Sequence, residues 1–323
     1  MKRFHMTPEI YLSLFLALIL IVLASFARGF FDLNNLMNML NRFSYMLIAA
    51  IGMNLIILTG NIDVSTGSLI SVVCLTIAAL GKKGLSLWGL LPAAMVTGAV
   101  LSLLNALFIT KFRIPAIVAT LATAQLFSGA LPLAVEGSIY DLPDTFTWLA
   151  FKAKIFGLVP ASALMMLIVA VLALVYMKYS RFAKKVYAVG NNPGTARLAG
   201  IDVNKVVIAC YAIAGCLFGI TATIIATAGQ RVTTTMGTGL EMTFIAAVVL
   251  GGTSTSGGSG TILGTIIGCG VLSVIAPAIN YMGISSDWSD AIMGAIIIIA
   301  VVVSELQMGG VRGPGRRAER IAA

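Results

Sequence analysis

Residues 178–205 read KYSRFAKKVYAVGNNPGTARLAGIDVNK, and this basic stretch separates two apolar halves of the chain. Asn192 precedes Pro193, which predicts an N-cap followed by proline at the first helical position. Gly200 then offers a left-handed stop. The stretch therefore predicts a helix of about two turns, which is too short to be stable alone in water and needs a partner to pack on. An ordinary solvated loop between membrane spans is the alternative interpretation.

The composition on either side is that of a membrane protein. The chain has 323 residues, of which 59% are hydrophobic and 10% are charged. A soluble domain of this length cannot bury so much apolar side chain, and repeated apolar runs of about 20 residues predict an all-α polytopic membrane protein. The formal net charge is +9. Its basic residues cluster at the ends of apolar runs, which is the positive-inside pattern, so nucleic-acid binding is not expected.

The apolar runs predict about ten transmembrane helices in a single transmembrane domain, residues 1–323, with both termini cytoplasmic. The central basic loop, 178–205, is expected inside, and the segments 28–42 and 136–160 are expected outside. The N-terminal run is taken as a retained first span. The predicted spans are about 10–27, 43–59, 69–80, 87–110, 114–135, 161–177, 206–228, 241–250, 261–282 and 291–306.

The order of segment types occurs twice, which predicts an inverted repeat. Spans 2–5 (about 43–135) and spans 7–10 (about 206–306) each contain a span, a polar interruption, a short span, a glycine cluster and two more spans. A shift of 170 residues superposes three glycines of the first half on three of the second. The halves begin five spans apart and so enter the membrane from opposite sides, a common plan for transporters. Unrelated halves of similar hydropathy are the alternative.

The chain offers little for catalysis or metal binding. The lone histidine is His5, and the four cysteines lie within apolar segments without a CxxC pair, so they are predicted to be core residues. The run GGTSTSGGSG, 251–260, resembles a phosphate loop but lacks its lysine. The chain is therefore expected to have no enzymatic activity, to bind no cofactor and not to hydrolyse ATP itself.

The polar interruption GNIDVSTGS, 60–68, holds the sharpest single candidate, Asp63. An acid at membrane depth is costly and normally faces protein or water. With Ser65 it would cap the third segment, or it would contact a solute. Gly60 and Gly67 permit unwound backbone there, and Asn61 lies beside them.

Further polar and small residues lie in the spans. Glu241 opens the eighth segment, where an acid complements the helix dipole. Three amides would join helices or line a path for a polyhydroxylated solute, with joining the favoured role: Asn54, Asn105 and Gln125. Four glycines of the 251–260 run are expected to allow close packing and a tight turn: Gly251, Gly252, Gly257 and Gly258.

Three motifs resemble the inner-membrane permease subunits of bacterial ribose-type sugar ABC importers: TGNIDVSTGS (59–68), VYAVGNNPGTARLAGIDV (186–203) and VVLGGTSTSGGSGTILGT (248–265). The resemblance extends from about Phe31 to Ser304. The sequence departs from the usual family pattern at Asn54, Asn61, Thr66 and Ala116, which leaves the identity of the solute open.

The resemblance implies a multi-pass permease of the bacterial inner membrane that works as a homodimer or heterodimer. It would receive a monosaccharide or similar solute from a periplasmic binding protein and be driven by a cytoplasmic ATPase that uses the ATP. The matching segment would be the coupling helix that contacts the ATPase, with these residues: Asn191, Asn192, Pro193, Ala196, Arg197, Leu198 and Gly200.

Three other functions are weighed against this one. A stand-alone secondary transporter would need an ion-coupling site, for which Asp63 or Glu241 could serve. An intramembrane enzyme would need a nucleophile and a base inside the membrane, and the sequence offers no such pair. A non-transporting scaffold would show no solute-dependent activity.

Overall fold

The computed structural model describes residues 8–26, 30–135, 137–140, 142–143, 146, 154–155, 159–229 and 231–281, with a few positions between 288 and 298. Most of the predicted tenth span and all of the basic C-terminal tail lie outside the described residues. The helices are α1 Pro8–Phe26, α2 Leu33–Leu58, α3 Thr66–Lys82, α4 Leu87–Thr110, α5 Ala116–Ala134, α6 Ala161–Tyr179, α7 Arg181–Asn191, α8 Pro193–Leu198, α9 Val203–Thr227, α10 Leu240–Leu250 and α11 Ile262–Tyr281.

Six of these helices are long and apolar enough to cross a membrane: α2, α4, α5, α6, α9 and α11. Helices α3 and α10 are apolar but shorter. The described part of the chain is thus an all-α polytopic membrane protein, as predicted. The count of about ten spans and the sides of the termini remain predictions.

Four two-residue strands accompany the helices. Strand β1 (Ser138–Ile139) pairs antiparallel with β4 (Val232–Thr233), and β2 (Lys154–Ile155) pairs antiparallel with β3 (Val159–Pro160). The first pair joins the segment before α6 to the segment after α9. Both segments are therefore at one end of the bundle.

The second span begins earlier than the sequence predicted. Hydropathy placed its start at Phe43, with 28–42 as an outside loop, but α2 begins at Leu33. The Asp32 side chain accepts a hydrogen bond from the Asn34 N–H at 3.3 Å and caps the helix. The capping residue, and not the onset of hydrophobicity, sets this boundary.

The central stretch 178–205 is helical through most of its length, which corrects the prediction of a basic loop around one short helix. Helix α7 was missed. Ser180 caps it by accepting from the Phe182 N–H at 3.0 Å. Its buried residues Ala183, Val186 and Val189 recur at helical spacing, while Lys184 and Lys185 are exposed. An amphipathic helix of this kind lies on the end of a bundle.

Helices α2 and α9 form the centre of the packed core. From Met46 to Leu58 nearly every α2 side chain is buried. Helix α9 packs along α4 and α2. Its contact with α4 is backbone to backbone, since a Cβ on Gly215 would lie 2.7 Å from Ala99 Cα. Small residues allow such close approach between membrane helices.

Candidate functional site

Helix α8 begins as the sequence predicted. The Asn192 side chain accepts a hydrogen bond from the Thr195 N–H at 3.0 Å, and Pro193 occupies the first turn. The cap satisfies one of the free N–H groups of the helix start, and proline has none to lose. The predicted cap is confirmed.

The end of α8 is also as predicted. Gly200 adopts φ +78°, its N–H donates to Arg197 O at 2.9 Å, and the Ile201 N–H donates to Ala196 O at 3.0 Å. These two bonds form a Schellman motif, which fixes the helix end. A six-residue helix is thereby held at both ends by local hydrogen bonds.

Almost the whole surface of α8 is free. Ala196 is its buried residue, and Asn191 and Arg197 are exposed. The Leu198 side chain is 90% exposed. Arg197 and Leu198 are therefore side chains of α8 that a partner surface could reach.

The surroundings of α8 are basic. Lys184, Lys185 and Lys205 are exposed near Arg197 in the chain. The nearby acid Asp202 accepts from the Lys205 N–H at 3.1 Å and pairs with its ammonium at 3.2 Å. The backbone N–H of Lys205 is the main reason that the pKa of Asp202 is lowered.

Asp63 is fully buried and anchors the break between α2 and α3. Its Oδ1 accepts from the Ser65 N–H at 2.8 Å and from Ser65 Oγ at 2.6 Å. Asn105 of α4 donates to Asp63 Oδ2 at 3.3 Å and to Ser65 Oγ at 2.7 Å. Thr123 of α5 donates to Asn105 Oδ1 at 2.6 Å. Helix α3 begins at Thr66 with Ser65 at its N-cap and without a side-chain capping bond, so Asp63 holds the residue before the helix and does not cap the helix itself. Through Asn105 and Thr123 the same network joins the start of α3 to α4 and α5.

Asn54 joins α2 to the second half of the chain. Its amide donates to Thr253 Oγ1 at 2.9 Å and to Thr265 Oγ1 at 2.6 Å. All three side chains are buried. Asn54 and Asn105 therefore both hold helices together, the role that the sequence favoured for the buried amides.

The amides of Gln125 and Asn61 are not fully buried between helices, unlike those of Asn54 and Asn105. Gln125 is on an exposed face of α5. Asn61 donates to Thr59 Oγ1 at 2.8 Å and lines an open cavity of about 330 Å³ at the end of the bundle. The same cavity is lined by Gly60, Pro193 and Arg197. The predicted coupling helix and the predicted interruption therefore share one cavity.

Glu241 faces the start of α3. A Cβ on Gly67 would collide with the Glu241 carboxylate and with Gly237 O. Ser71 Oγ of α3 accepts from the Gly237 N–H at 2.8 Å. The beginnings of the two short helices α3 and α10 thus meet in backbone contact.

The predicted packing glycines have different surroundings. Gly251 packs against Gly264, whereas Gly252, at φ +85°, has no atom near its Cβ position. Gly257 and Gly258 have positive φ and lie against Gly60 and Asn191. The structure therefore brings the 251–260 run, the 60–68 interruption and the end of α7 to one place.

A bundle of apolar helices with buried polar bonds between them defines a polytopic membrane protein. A family model described as branched-chain amino acid transport system / permease component matches residues 35–301. The chain therefore belongs to this family of transport permeases, and it is a multi-pass protein of the bacterial inner membrane.

Curated relatives match over most of their length. The chain is 34% identical over 297 residues to the ribose import permease protein RbsC of Escherichia coli strain K12, covering 90% of this chain and 92% of the relative. RbsC of Bacillus subtilis is 32% identical over 294 residues, covering 91% of each chain. The autoinducer 2 import system permease protein LsrC of Yersinia enterocolitica is 32% identical over 291 residues, covering 88% of this chain and 80% of the relative. No solved structure matches.

Sequence reasoning missed several residues of these contacts. Thr123, Thr253 and Thr265 complete the buried networks, and Tyr187 and Gly190 hold α7 against the loops. The threonines carry no local signal because their partners lie on distant helices. Gly190 carries no local signal either, because its contacts are with the backbone of Leu58 and Gly258, which are distant in the chain.

Proposed function

We propose that this chain is the membrane subunit of an ABC importer that moves a monosaccharide or similar small polar solute into the cytoplasm. A separate ATPase subunit would bind and use the ATP, and a periplasmic binding protein would deliver the solute. The full-length relatives named for ribose and autoinducer 2 import support this solute class over the amino acids in the family description. This chain would itself bind no cofactor.

Helix α8 carries the proposal. It is capped at both ends, it is exposed except at Ala196, and it stands among basic side chains. Positive residues mark the cytoplasmic side of membrane proteins, which is where an ATPase is found. The segment Asn191–Gly200 would thus be the surface on which the ATPase acts.

An inverted repeat within one transmembrane domain, 1–323, is part of the proposal, with both termini cytoplasmic. The observed helix contacts support it, because they come in matching pairs. Helix α4 packs on α9 as α11 packs on α2, and α3 packs on α9 as α10 packs on α2.

The contact between α3 and α10 supports the same register. The shift of 170 residues matches Gly67 with Gly237 and Ser71 with Glu241. Ser71 accepts from Gly237, and Glu241 lies against Gly67, so each contact is the counterpart of the other. This arrangement is expected where two repeats cross at a pseudo-two-fold axis.

A solute path is proposed along the exposed face of α5, beside a second permease copy or a paralogue. Gln125 is the polar side chain that supports it, since an amide turned toward lipid would be costly. Asn61 would lie near the cytoplasmic end of the path, in the wall of the open cavity.

A stand-alone secondary transporter is the competing function. Its ion site would have to use Asp63 or Glu241. Both oxygens of Asp63 already accept hydrogen bonds from Ser65 and Asn105. Glu241 Oε2 has no hydrogen-bond partner within the described residues, so Glu241 is the residue on which that alternative depends.

The test uses the permease purified with its ATPase and reconstituted in proteoliposomes. Gly200→Pro cannot adopt φ +78° and loses the N–H bonded to Arg197 O, and Arg197→Glu reverses the exposed charge. Both variants should remain folded and hydrolyse ATP without solute uptake. Full ATPase assembly and normal uptake in both would refute the role of α8.

A further inference from the structure

Three stretches of backbone meet beside α8 with no side chain between them. They are the end of α2, the end of α7 and the 251–260 loop. Gly258 N–H donates to Leu58 O at 3.0 Å. A Cβ on Gly190 would collide with Leu58 O and lie 2.5 Å from Gly258 N. We call this contact of Leu58, Gly60, Gly190, Gly257 and Gly258 the glycine junction.

The glycines of the 251–260 loop are packed just as tightly against the ends of α2 and α7. A Cβ on Gly257 would lie 2.6 Å from Gly60 N and 3.2 Å from Gly190 Cα. A Cβ on Gly258 would lie 2.6 Å from Asn191 Cα. Any side chain at these positions would push the three stretches apart, because packed backbone cannot yield as a flexible side chain can.

A hydrogen bond between α7 and the loop reinforces the junction. The Tyr187 hydroxyl donates to Gly260 O at 2.9 Å. A tyrosine hydroxyl is protonated at neutral pH, and burial raises the pKa of Tyr187 further, so the hydroxyl is a donor here. Helix α7 is therefore fastened to the 251–260 loop at two points one turn apart, Tyr187 and Gly190.

The junction connects α8 to both halves of the chain. Leu58 and Gly60 lead into the Asp63 network, which reaches α4 and α5. The 251–260 loop leads to α10 and α11, and Thr253 in it accepts from Asn54. Asn192 alone separates α8 from Asn191 at the end of α7, so a displacement of α8 reaches α2 and the loop through the same backbone contact.

We propose that the glycine junction is the mechanical link that makes α7, the end of α2 and the 251–260 loop move together when α8 is displaced. Gly190 and Tyr187 are its positioning residues. The inference rests on the proposed function of α8, and it adds the route by which one external helix drives both halves. Packed contacts of this kind transmit discrete shifts because they do not deform continuously.

The test uses two variants and one control in the permease–ATPase complex. Gly190→Ala inserts a methyl group into the junction, and Tyr187→Phe removes the hydroxyl with little change of shape. Gly229→Ala is the control, since the nearest atom to its Cβ position is Arg231 O at 3.6 Å. Initial rates of ATP hydrolysis are measured for each. Initial rates of ATP-driven uptake are measured with a radiolabelled sugar that stabilises the binding protein in a thermal-shift screen.

Gly190→Ala should lower uptake by about tenfold, and Tyr187→Phe by about threefold, within the range over which single substitutions modulate coupling between sites. Hydrolysis of ATP should continue in both while its stimulation by the loaded binding protein is lost. A purely structural role would instead reduce assembly, uptake and hydrolysis together. If Gly190→Ala does not fold, Tyr187→Phe alone decides, and normal stimulated hydrolysis and uptake in it would overturn the proposal.

A distance measurement tests the rigid link directly. Spin labels at Lys184→Cys on α7 and Thr255→Cys in the loop should keep one distance with and without MgATP and vanadate. In Gly190→Ala the two labels should separate or broaden in distribution. A nucleotide-dependent change in the otherwise unaltered protein would overturn the link. Failure of the proposed function gives a different result: the unaltered permease would neither bind an ATPase nor take up any sugar. Failure of the junction proposal alone would leave uptake and stimulated ATP hydrolysis normal in both Gly190→Ala and Tyr187→Phe.

Discussion

Asp63 is an acidic residue whose side chain is fully buried. Its two oxygens accept bonds from the Ser65 backbone, the Ser65 hydroxyl and the Asn105 amide. Buried polar networks of this kind are stable only when every member is satisfied. At the residue scale, Asp63 thus fixes the geometry of the break between α2 and α3.

Asp63→Ala should lower the free energy of unfolding by about 3 kcal/mol, because several buried donors lose their acceptor. Thermal unfolding in detergent measures it. Asp202→Ala is the matched control, since Asp202 is an exposed helix cap whose loss should destabilise the protein much less. Equal, small effects of the two substitutions would show that the Asp63 network does not hold the helices.

The sequence identified half of this network. Asp63 and Ser65 are two residues apart, so a contact between them could be predicted locally, although it does not cap α3. Asn105 was recognised as a polar residue in a span, but its partner could not be, because helix packing alone brings α4 to Asp63. For Gln125 the sequence could not distinguish a buried from an exposed face, since α5 is apolar all round.

At the scale of elements, the short helices α3 and α10 determine how the halves meet. Helix α10 has 11 residues, about 16 Å, which is half of a bilayer core of about 30 Å. Its first turn carries Glu241, and the Glu241 carboxylate packs against Gly67 in the first turn of α3. The close approach requires glycine at position 67.

Gly67→Ala should destabilise the protein by about 2 kcal/mol through overpacking. Gly129→Ala adds the same methyl group to α5, where no atom of a neighbouring described residue lies within 4 Å of the Cβ position. That variant should be neutral or slightly more stable, because alanine favours helix. Thermal unfolding of both compares them, and a Gly67→Ala variant as stable as Gly129→Ala would contradict the crossing.

Elements were predictable from sequence where their determinants are local. The cap, the proline and the terminal glycine of α8 all lie within nine residues, so its ends were correctly placed. Helix α7 was missed because its lysines suggested a loop, although Ala183, Val186 and Val189 carry the helical spacing. The start of α2 was missed because Asp32 caps a polar first turn.

At the scale of the whole molecule, the parts form one connected path. Helix α8 is exposed at one end of the bundle, and the glycine junction connects it to both halves of the chain. In the first half, the Asp63 network continues this connection through α4 to α5. The sequence predicted the class of protein and both ends of α8. It could not predict the junction, because contacts made by backbone alone leave no side-chain pattern.

The central claim is that this chain is the membrane subunit of an ATP-driven importer. The most direct test is to measure whether uptake depends on ATP or on an ion gradient. Proteoliposomes containing the permease, its ATPase and its binding protein are supplied with a labelled sugar that stabilises the binding protein in a thermal-shift screen. We expect uptake that requires the ATPase and internal MgATP and that persists when a protonophore collapses the ion gradient. Uptake by the permease alone, abolished by the protonophore and by Glu241→Gln, would contradict the account and favour a secondary transporter.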